Sequence, residues 1–160
     1  MKTSIRAALA ASAAALLLAV AGPAPAAAQR LYDPTANAVA AVDSALALAR
    51  ADHKLVLVDF GADWCVDCWL LERLFRDPAV AVYLRDHYHV VKVDVGQFDH
   101  NQKLVAKYGN PIEGGVPAAV VLTPTGARIA TTRDGSLESA RSLTPAVVLH
   151  MLQTWVARAP

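Results

Sequence analysis

The stretch Lys54-Leu55-Val56-Leu57-Val58-Asp59-Phe60-Gly61-Ala62-Asp63-Trp64-Cys65-Val66-Asp67-Cys68 decides how the chain is read. Leu55–Phe60 is a nearly unbroken apolar, β-branched run, too short for a helix and continuous enough for a strand buried on both faces. Gly61 to Trp64 supplies the turn off its end. From Cys65 to about Arg76, Cys68, Leu71 and Phe75 recur on one side of a helix. A strand therefore feeds a helix through a turn, with a cysteine pair at the join.

That placement has chemical consequences. Cys65 falls in the first helical turn, where unpaired N–H groups and the positive end of the helix dipole stabilise an anion. A thiolate so placed has a pKa on the order of 3.5 to 7.5, against about 8.5 for a free thiol. Cys68 lies one turn deeper and remains a thiol until a mixed disulfide forms on Cys65, which it then attacks. The spacing predicts an exposed nucleophile beside a sheltered resolver. These are the only two cysteines, so any intramolecular disulfide is this pair itself. Two other readings use the same residues: a permanent clamp, or half of a metal site. A clamp over so short a loop gains little chain entropy, and two thiolates with no third ligand make a poor closed zinc site.

Working outward, Ala36–Arg50 reads as a helix with Val39, Val42, Leu46 and Ala49 on one face. Asp77-Pro78 caps and opens a helical piece running to Tyr88. His89–Val95 is the next strand, Asn101–Tyr108 a short helix stopped by Gly109, and Pro111–Gly115 an irregular loop. Ala118–Thr123 and Ala127–Arg133 form a hairpin about Pro124-Thr125-Gly126. Thr144-Pro145 starts a last helix with Val148, Met151 or Leu152, Trp155 and Ala159 as its stripe. Strands separated by helices favour parallel neighbours, and the hairpin adds antiparallel ones. The expected fold is α/β, a small mixed β-sheet flanked by helices on both faces.

The chain opens with Lys2 and Arg6, an uncharged run from Ala7 to Gly22, and a helix-breaking stretch ending in Ala26-Ala27-Ala28. Residues 1–28 therefore read as a secretory signal peptide cleaved after Ala28, and residues 29–160 as one domain. The apolar run is shorter than the roughly 20 residues that span a bilayer. Stable membrane insertion after cleavage is not expected, and the leader inflates the 55% hydrophobic content. Removing Lys2 and Arg6 from 15 basic and 14 acidic residues leaves the mature domain close to neutral. That charge offers no case for nucleic acid.

Val58-Asp59-Phe60-Gly61-Ala62-Asp63-Trp64-Cys65-Val66-Asp67-Cys68, followed by Val116-Pro117 before a hydrophobic strand, resembles the thioredoxin superfamily. The likeness runs from about Lys54 to the C-terminus. It is nearest to periplasmic thioredoxin-like domains that begin with a helix, such as the C-terminal domain of the transmembrane thiol reductant transporter. The first strand of thioredoxin has no evident counterpart here, and the loop Asn110–Gly115 is longer. The resemblance implies a thioredoxin-like thiol–disulfide oxidoreductase with catalytic Cys65 and Cys68. It also implies that Pro117 is cis and faces the cysteines, and that the Val116 backbone pairs with a substrate chain.

Asp59 stands six residues before Cys65, the position of the family's buried aspartate. An isolated buried carboxylate tends to keep its proton near neutrality, which suits Asp59 to take the proton from Cys68 through water as the resolving step proceeds. Otherwise it is a strand-end residue facing solvent. Lys92 matches the lysine that accompanies this aspartate, or is an ordinary surface lysine. Trp64 matches the family and is expected to pack over the motif. Trp69 has two readings, an exposed contact for a partner or a ring folded onto its helix. His53, His87, His89, His100 and His150 make no ligand spacing with the cysteines, so no metal site is expected.

Asp63 and Asp67 place negative charge near Cys65, which disfavours its thiolate. Strong oxidants need a very stable thiolate, so the acids favour a reducing pair. The expected function is a protein-disulfide reductase in the periplasm, exported through the Sec pathway and acting as a monomer on protein thiols and disulfides. A membrane thiol reductant would recharge it, and no cofactor beyond the Cys65–Cys68 disulfide is needed. The alternative is a non-enzymatic binding module that offers the groove or the two thiolates to a partner or a metal.

Overall fold

A computed structural model describes residues 30–160; residues 1–28, expected above to be a signal peptide, lie outside the described residues. The elements are α1 (Ala38–Asp52), β1 (Leu55–Gly61), α2 (Val66–Phe75), α3 (Pro78–His87), β2 (Tyr88–Asp94), α4 (Gln102–Lys107), β3 (Ala118–Leu122), β4 (Arg128–Thr131) and α5 (Pro145–Val156). A single 3-10 turn, Ala140–Ser142, precedes α5. The sheet order is β2-β1-β3-β4. β1 runs parallel to β2 and antiparallel to β3, and β3 pairs antiparallel with β4.

The unbroken apolar run of β1 is explained by its place. It is an inner strand, and every residue in it is buried. Alternate side chains point to opposite faces of a strand, so two cores form. Val56, Val58 and Phe60 join Val91, Val93, Val120 and Leu122 under α1 and α4. Leu55 and Leu57 join Ala119 and Val121 under α2, α3 and α5. Asp59 shares the second face with Leu55 and Leu57, and the parallel register sets it beside Lys92.

Several boundaries differ from expectation. α1 starts two residues later because Asn37 caps it, its Oδ1 accepting from the Ala40 N–H at 3.0 Å. The buried stripe is Ala38, Val42, Ala45 and Ala49, and Val39 is exposed. An alanine-rich helix is apolar on most sides, so its periodicity does not fix its phase. β2 ends at Asp94, although the Val95 N–H still bonds to the Gly61 carbonyl at 2.9 Å. Leu152, not Met151, is the fully buried member of the α5 stripe, and Ala159 lies beyond the helix end. Asp77 and Thr144 cap α3 and α5 as expected, each followed by proline.

Candidate active site

Cys65 is the N-cap of α2 and Val66 its first helical residue. The turn from β1 is closed by the Cys65 N–H donating to the Ala62 carbonyl at 3.0 Å. Cys65 and Cys68 are joined by a disulfide with Cα atoms 5.3 Å apart. Cys65 Sγ accepts the Cys68 N–H at 3.1 Å. The expectation of an open nucleophile needs correcting, because in this oxidised form Cys65 is only 5% exposed and Cys68 is fully buried. The reason is local cover: both sulfurs sit in one apolar cluster with Tyr32, Leu31 and Val116.

The Val116–Pro117 peptide bond is cis. The Val116 carbonyl oxygen lies 3.5 Å from Cys65 Sγ, so the loop before β3 closes over the cysteine pair. Val116 is half-buried and Pro117 buried. The longer loop before them is braced by an ion pair between Glu113 and Arg133.

Beneath the disulfide lies a charge cluster. Asp59 is 1% exposed, so it is neither a solvent-facing residue nor an isolated carboxylate. Its Oδ2 accepts from Lys92 Nζ at 2.7 Å and from the Tyr32 hydroxyl at 3.1 Å. Lys92 also meets Glu72 at 2.9 Å, and its ammonium lies over the Tyr32 ring. Lys92 is thus no free surface lysine. Burial works against its charge, but Asp59 and Glu72 outweigh that and hold its pKa above the ordinary lysine value. Burial opposes the ionised form of Glu72 too; Lys92 and then Arg76 overcome it and lower its pKa. The Tyr32 phenol is pushed well above its usual range, first by burial and then by the negative charge of Asp59. It therefore stays a hydrogen-bond donor.

The two acids of the motif face away from the role given them. Asp63 Oδ1 accepts the backbone N–H groups of Leu31 and Tyr32 at 2.8 and 2.9 Å. Asp67 pairs with the Arg141 guanidinium and accepts the Arg141 backbone N–H at 3.0 Å. The Arg141 hydrogen bond, against some burial, holds the Asp67 carboxyl below its usual range. Asp67 thus brings a compensating cation with it, and its negative charge near Cys65 is largely offset.

Trp64 is half-exposed, and its contacts run to the loop after β2 rather than over the motif. Its Nε1 donates to the Gly96 carbonyl at 2.7 Å, and its ring meets Phe98 with centroids 5.8 Å apart. Trp69 is half-buried and folds back, donating through Nε1 to the Asp63 carbonyl at 2.9 Å. Both indoles line a cleft of about 500 Å3 that also takes in Tyr32, Asp63, Gly96 and His100.

Four residues of this neighbourhood escaped the sequence argument: Tyr32, Glu72, Phe98 and Arg141. Glu72 carried a usable signal, since it follows Cys68 by four residues on one helix face. Tyr32 and Phe98 lie in segments without periodicity, and Arg141 reaches Asp67 from far along the chain.

Comparison with known proteins agrees with this geometry. A thioredoxin-like family model matches residues 37–124. The thiol:disulfide interchange protein DsbD 1 of Pseudomonas aeruginosa is 35% identical over 88 residues, which cover 54% of this chain and 14% of that protein. A DsbD of Vibrio vulnificus is 47% identical over 51 residues, 31% of this chain and 8% of its own length. The chain thus spans a small part of these curated relatives. The crystal structure of a disulphide isomerase from Xylella fastidiosa Temecula1 is similar over 81% of this chain and 99% of its own, at 37% identity and a TM-score of 0.78. A thioredoxin from Thermus thermophilus follows at 25% identity and a TM-score of 0.50, covering 72% of this chain and 81% of its own. With a disulfide at the head of α2, a cis-proline opposite and relatives of this kind, the chain belongs to the thioredoxin-like family and carries the cysteine pair of a thiol–disulfide oxidoreductase.

Proposed function

We propose that the chain is a periplasmic protein-disulfide reductase that takes reducing equivalents from a membrane thiol reductant and passes them to exported proteins. The observation that carries this is the Cys65–Cys68 pair at the N-cap of α2, over the buried Asp59–Lys92 pair. In the reduced protein, the Cys65 thiolate attacks a substrate disulfide. One substrate sulfur leaves as a thiolate, and the other forms a mixed disulfide with Cys65. Cys68 then loses its proton to Asp59, through water, and its sulfur bonds to Cys65 Sγ. The Cys65–substrate bond breaks, and the second substrate sulfur leaves with the electron pair and takes a proton. The substrate gains two electrons and the cysteine pair loses two. The scheme needs no cofactor beyond the cysteines.

Support for the reducing direction rests on the surroundings of Cys65 rather than on Asp67. Val116 presents a carbonyl oxygen to the sulfur, which favours a thiol over a thiolate there. Among the described residues, the hydrogen-bond donor recorded on that sulfur is the Cys68 N–H. A thiolate supported by the head of α2 but set against a carbonyl oxygen makes a weaker oxidant than one met by donors alone. Val116 and Pro117 would receive the substrate backbone, with Trp64 and Trp69 at the side of the groove. The leader-like residues 1–28 support export, and among the described residues no helix is long and apolar enough to cross a membrane.

A redox titration of the full chain tests the direction. The expected midpoint is below about −200 mV, and a value near −120 mV, the strong-oxidant region, would overturn the reductase assignment. Cys68→Ser is expected to trap mixed disulfides that reducing agents release. A partner bound equally well with or without both cysteines would instead identify a binding module.

A further inference from the structure

Among the described residues, Asp59 Oδ1 is the buried side-chain oxygen that has no hydrogen-bond partner. Its sister Oδ2 takes two donors, Lys92 Nζ and the Tyr32 hydroxyl. The asymmetry has a builder. Tyr32 precedes α1, is 1% exposed, and is tied by its backbone N–H to Asp63. Its ring fills the space in front of Gly61, where a Cβ would come within 2.4 Å of the ring carbon Cζ and of the hydroxyl oxygen. The same ring packs in the cluster that holds Cys65 and Cys68. One side chain therefore touches both the cysteine pair and the carboxylate below it.

We infer that Tyr32 is a positioning residue for the resolving step: with Lys92 it holds Asp59 by Oδ2 and leaves Oδ1 as the atom that takes the Cys68 proton. This role rests on the exchange chemistry proposed above. The charged and titratable groups around Asp59 are Lys92 from β2, Glu72 from α2 through Lys92, Asp63 from the turn after β1, Tyr32 from the segment before α1, and the two cysteines. On the β3 side the paired residue is Ala119, which does not titrate. Donors on Oδ2 favour the ionised carboxylate, the form able to accept a proton. Without the Tyr32 hydroxyl, Oδ2 keeps only the Lys92 donor, and the carboxylate is less firmly held with Oδ1 toward the cysteines.

The test uses the reduced full chain and the aryl disulfide dithiobis(nitrobenzoate), followed by stopped-flow absorbance. Attack by Cys65 releases a first thionitrobenzoate, and resolution by Cys68 releases a second. Tyr32→Phe keeps the ring and removes the hydroxyl. Its second phase is expected to keep its high-pH plateau, while its acidic limb moves up by about one pH unit, a tenfold slowing on the limb. Gly61→Ala, which displaces the ring, is expected to move the same limb in the same direction and gives an independent reading should Tyr32→Phe not fold. In an Asp59→Asn background, Tyr32→Phe is expected to have no further effect on this phase. A limb unmoved in a folded Tyr32→Phe protein, or a shift that persists without Asp59, overturns the role. A purely structural Tyr32 would lower thermal stability and leave the limb in place. A wild type that releases no second thionitrobenzoate overturns the exchange chemistry itself, and the role with it.

Discussion

Lys92→Met removes the cation from a carboxylate that water scarcely reaches. Asp59 is 1% exposed, Lys92 is 22% exposed along its side chain, and the two meet at 2.7 Å. Breaking a buried pair by deleting one partner costs about 3–5 kcal/mol, because a charge is left uncompensated. The partial exposure of Lys92 and the remaining Tyr32 donor place this case at the low end, about 3 kcal/mol. With a urea slope of about 1.5 kcal/mol per molar, the midpoint should fall by about 2 M. The assay is equilibrium unfolding of the oxidised protein at neutral pH, followed by tryptophan fluorescence and circular dichroism together. Adding Asp59→Asn to Lys92→Met should cost clearly less than the sum of the single changes, since no unpaired charge then remains. A fall of less than about 0.3 M for Lys92→Met, or strict additivity in the double variant, would refute the account of a mutually dependent pair.

Three further outcomes are expected. Because the folded-state pKa of Lys92 is raised, its stabilisation is fully present below about pH 10.4 and is lost as pH climbs through the folded value. The stability gap between wild type and Lys92→Met should therefore stay level to about pH 10 and then narrow, as read by urea midpoints across a pH series. Arg141→Ala uncovers the Asp67 charge at the head of α2, so the redox midpoint should move to a more negative value and the change should shrink with added salt. A shift toward positive potential would contradict the offset described here. Trp64→Ala removes a half-exposed indole from the cleft wall and should raise KM for a protein disulfide severalfold with kcat nearly unchanged, measured by steady-state turnover.

What the sequence disclosed depended on how local the cause was. The strand Leu55–Gly61 is an inner strand, and its apolar run says so without help from elsewhere. Asp77-Pro78 and Thr144-Pro145 each carry cap and first helical residue in adjacent positions, so those helix starts were legible. The cysteine pair at a strand-to-helix turn was legible for the same reason. α1 was found but its phase was not, because alanine on several sides of a helix blurs the buried stripe. Asp67 shows the opposite limit. Its charge could be read in the sequence, but the guanidinium that offsets it comes from Arg141, in a segment ordered by a single 3-10 turn. Tyr32 was invisible for a related reason: nothing in its own neighbours requires burial, and the need arises from Gly61 and Asp59.

The sheet leaves β2 and β4 as its margins. β4 is short and its pairing with β3 is irregular near Val121, which discourages further strands from adding there. β2 is longer, seven residues against four, the kind of margin on which a stray chain can lay down hydrogen bonds. α1 packs on β2 more than on β1, and Asp52 at its end grips His89 at 3.1 Å. Lys92, turned inward from this strand onto Asp59 and Glu72, is the kind of inward-pointing charge that keeps such a bare rim from self-association.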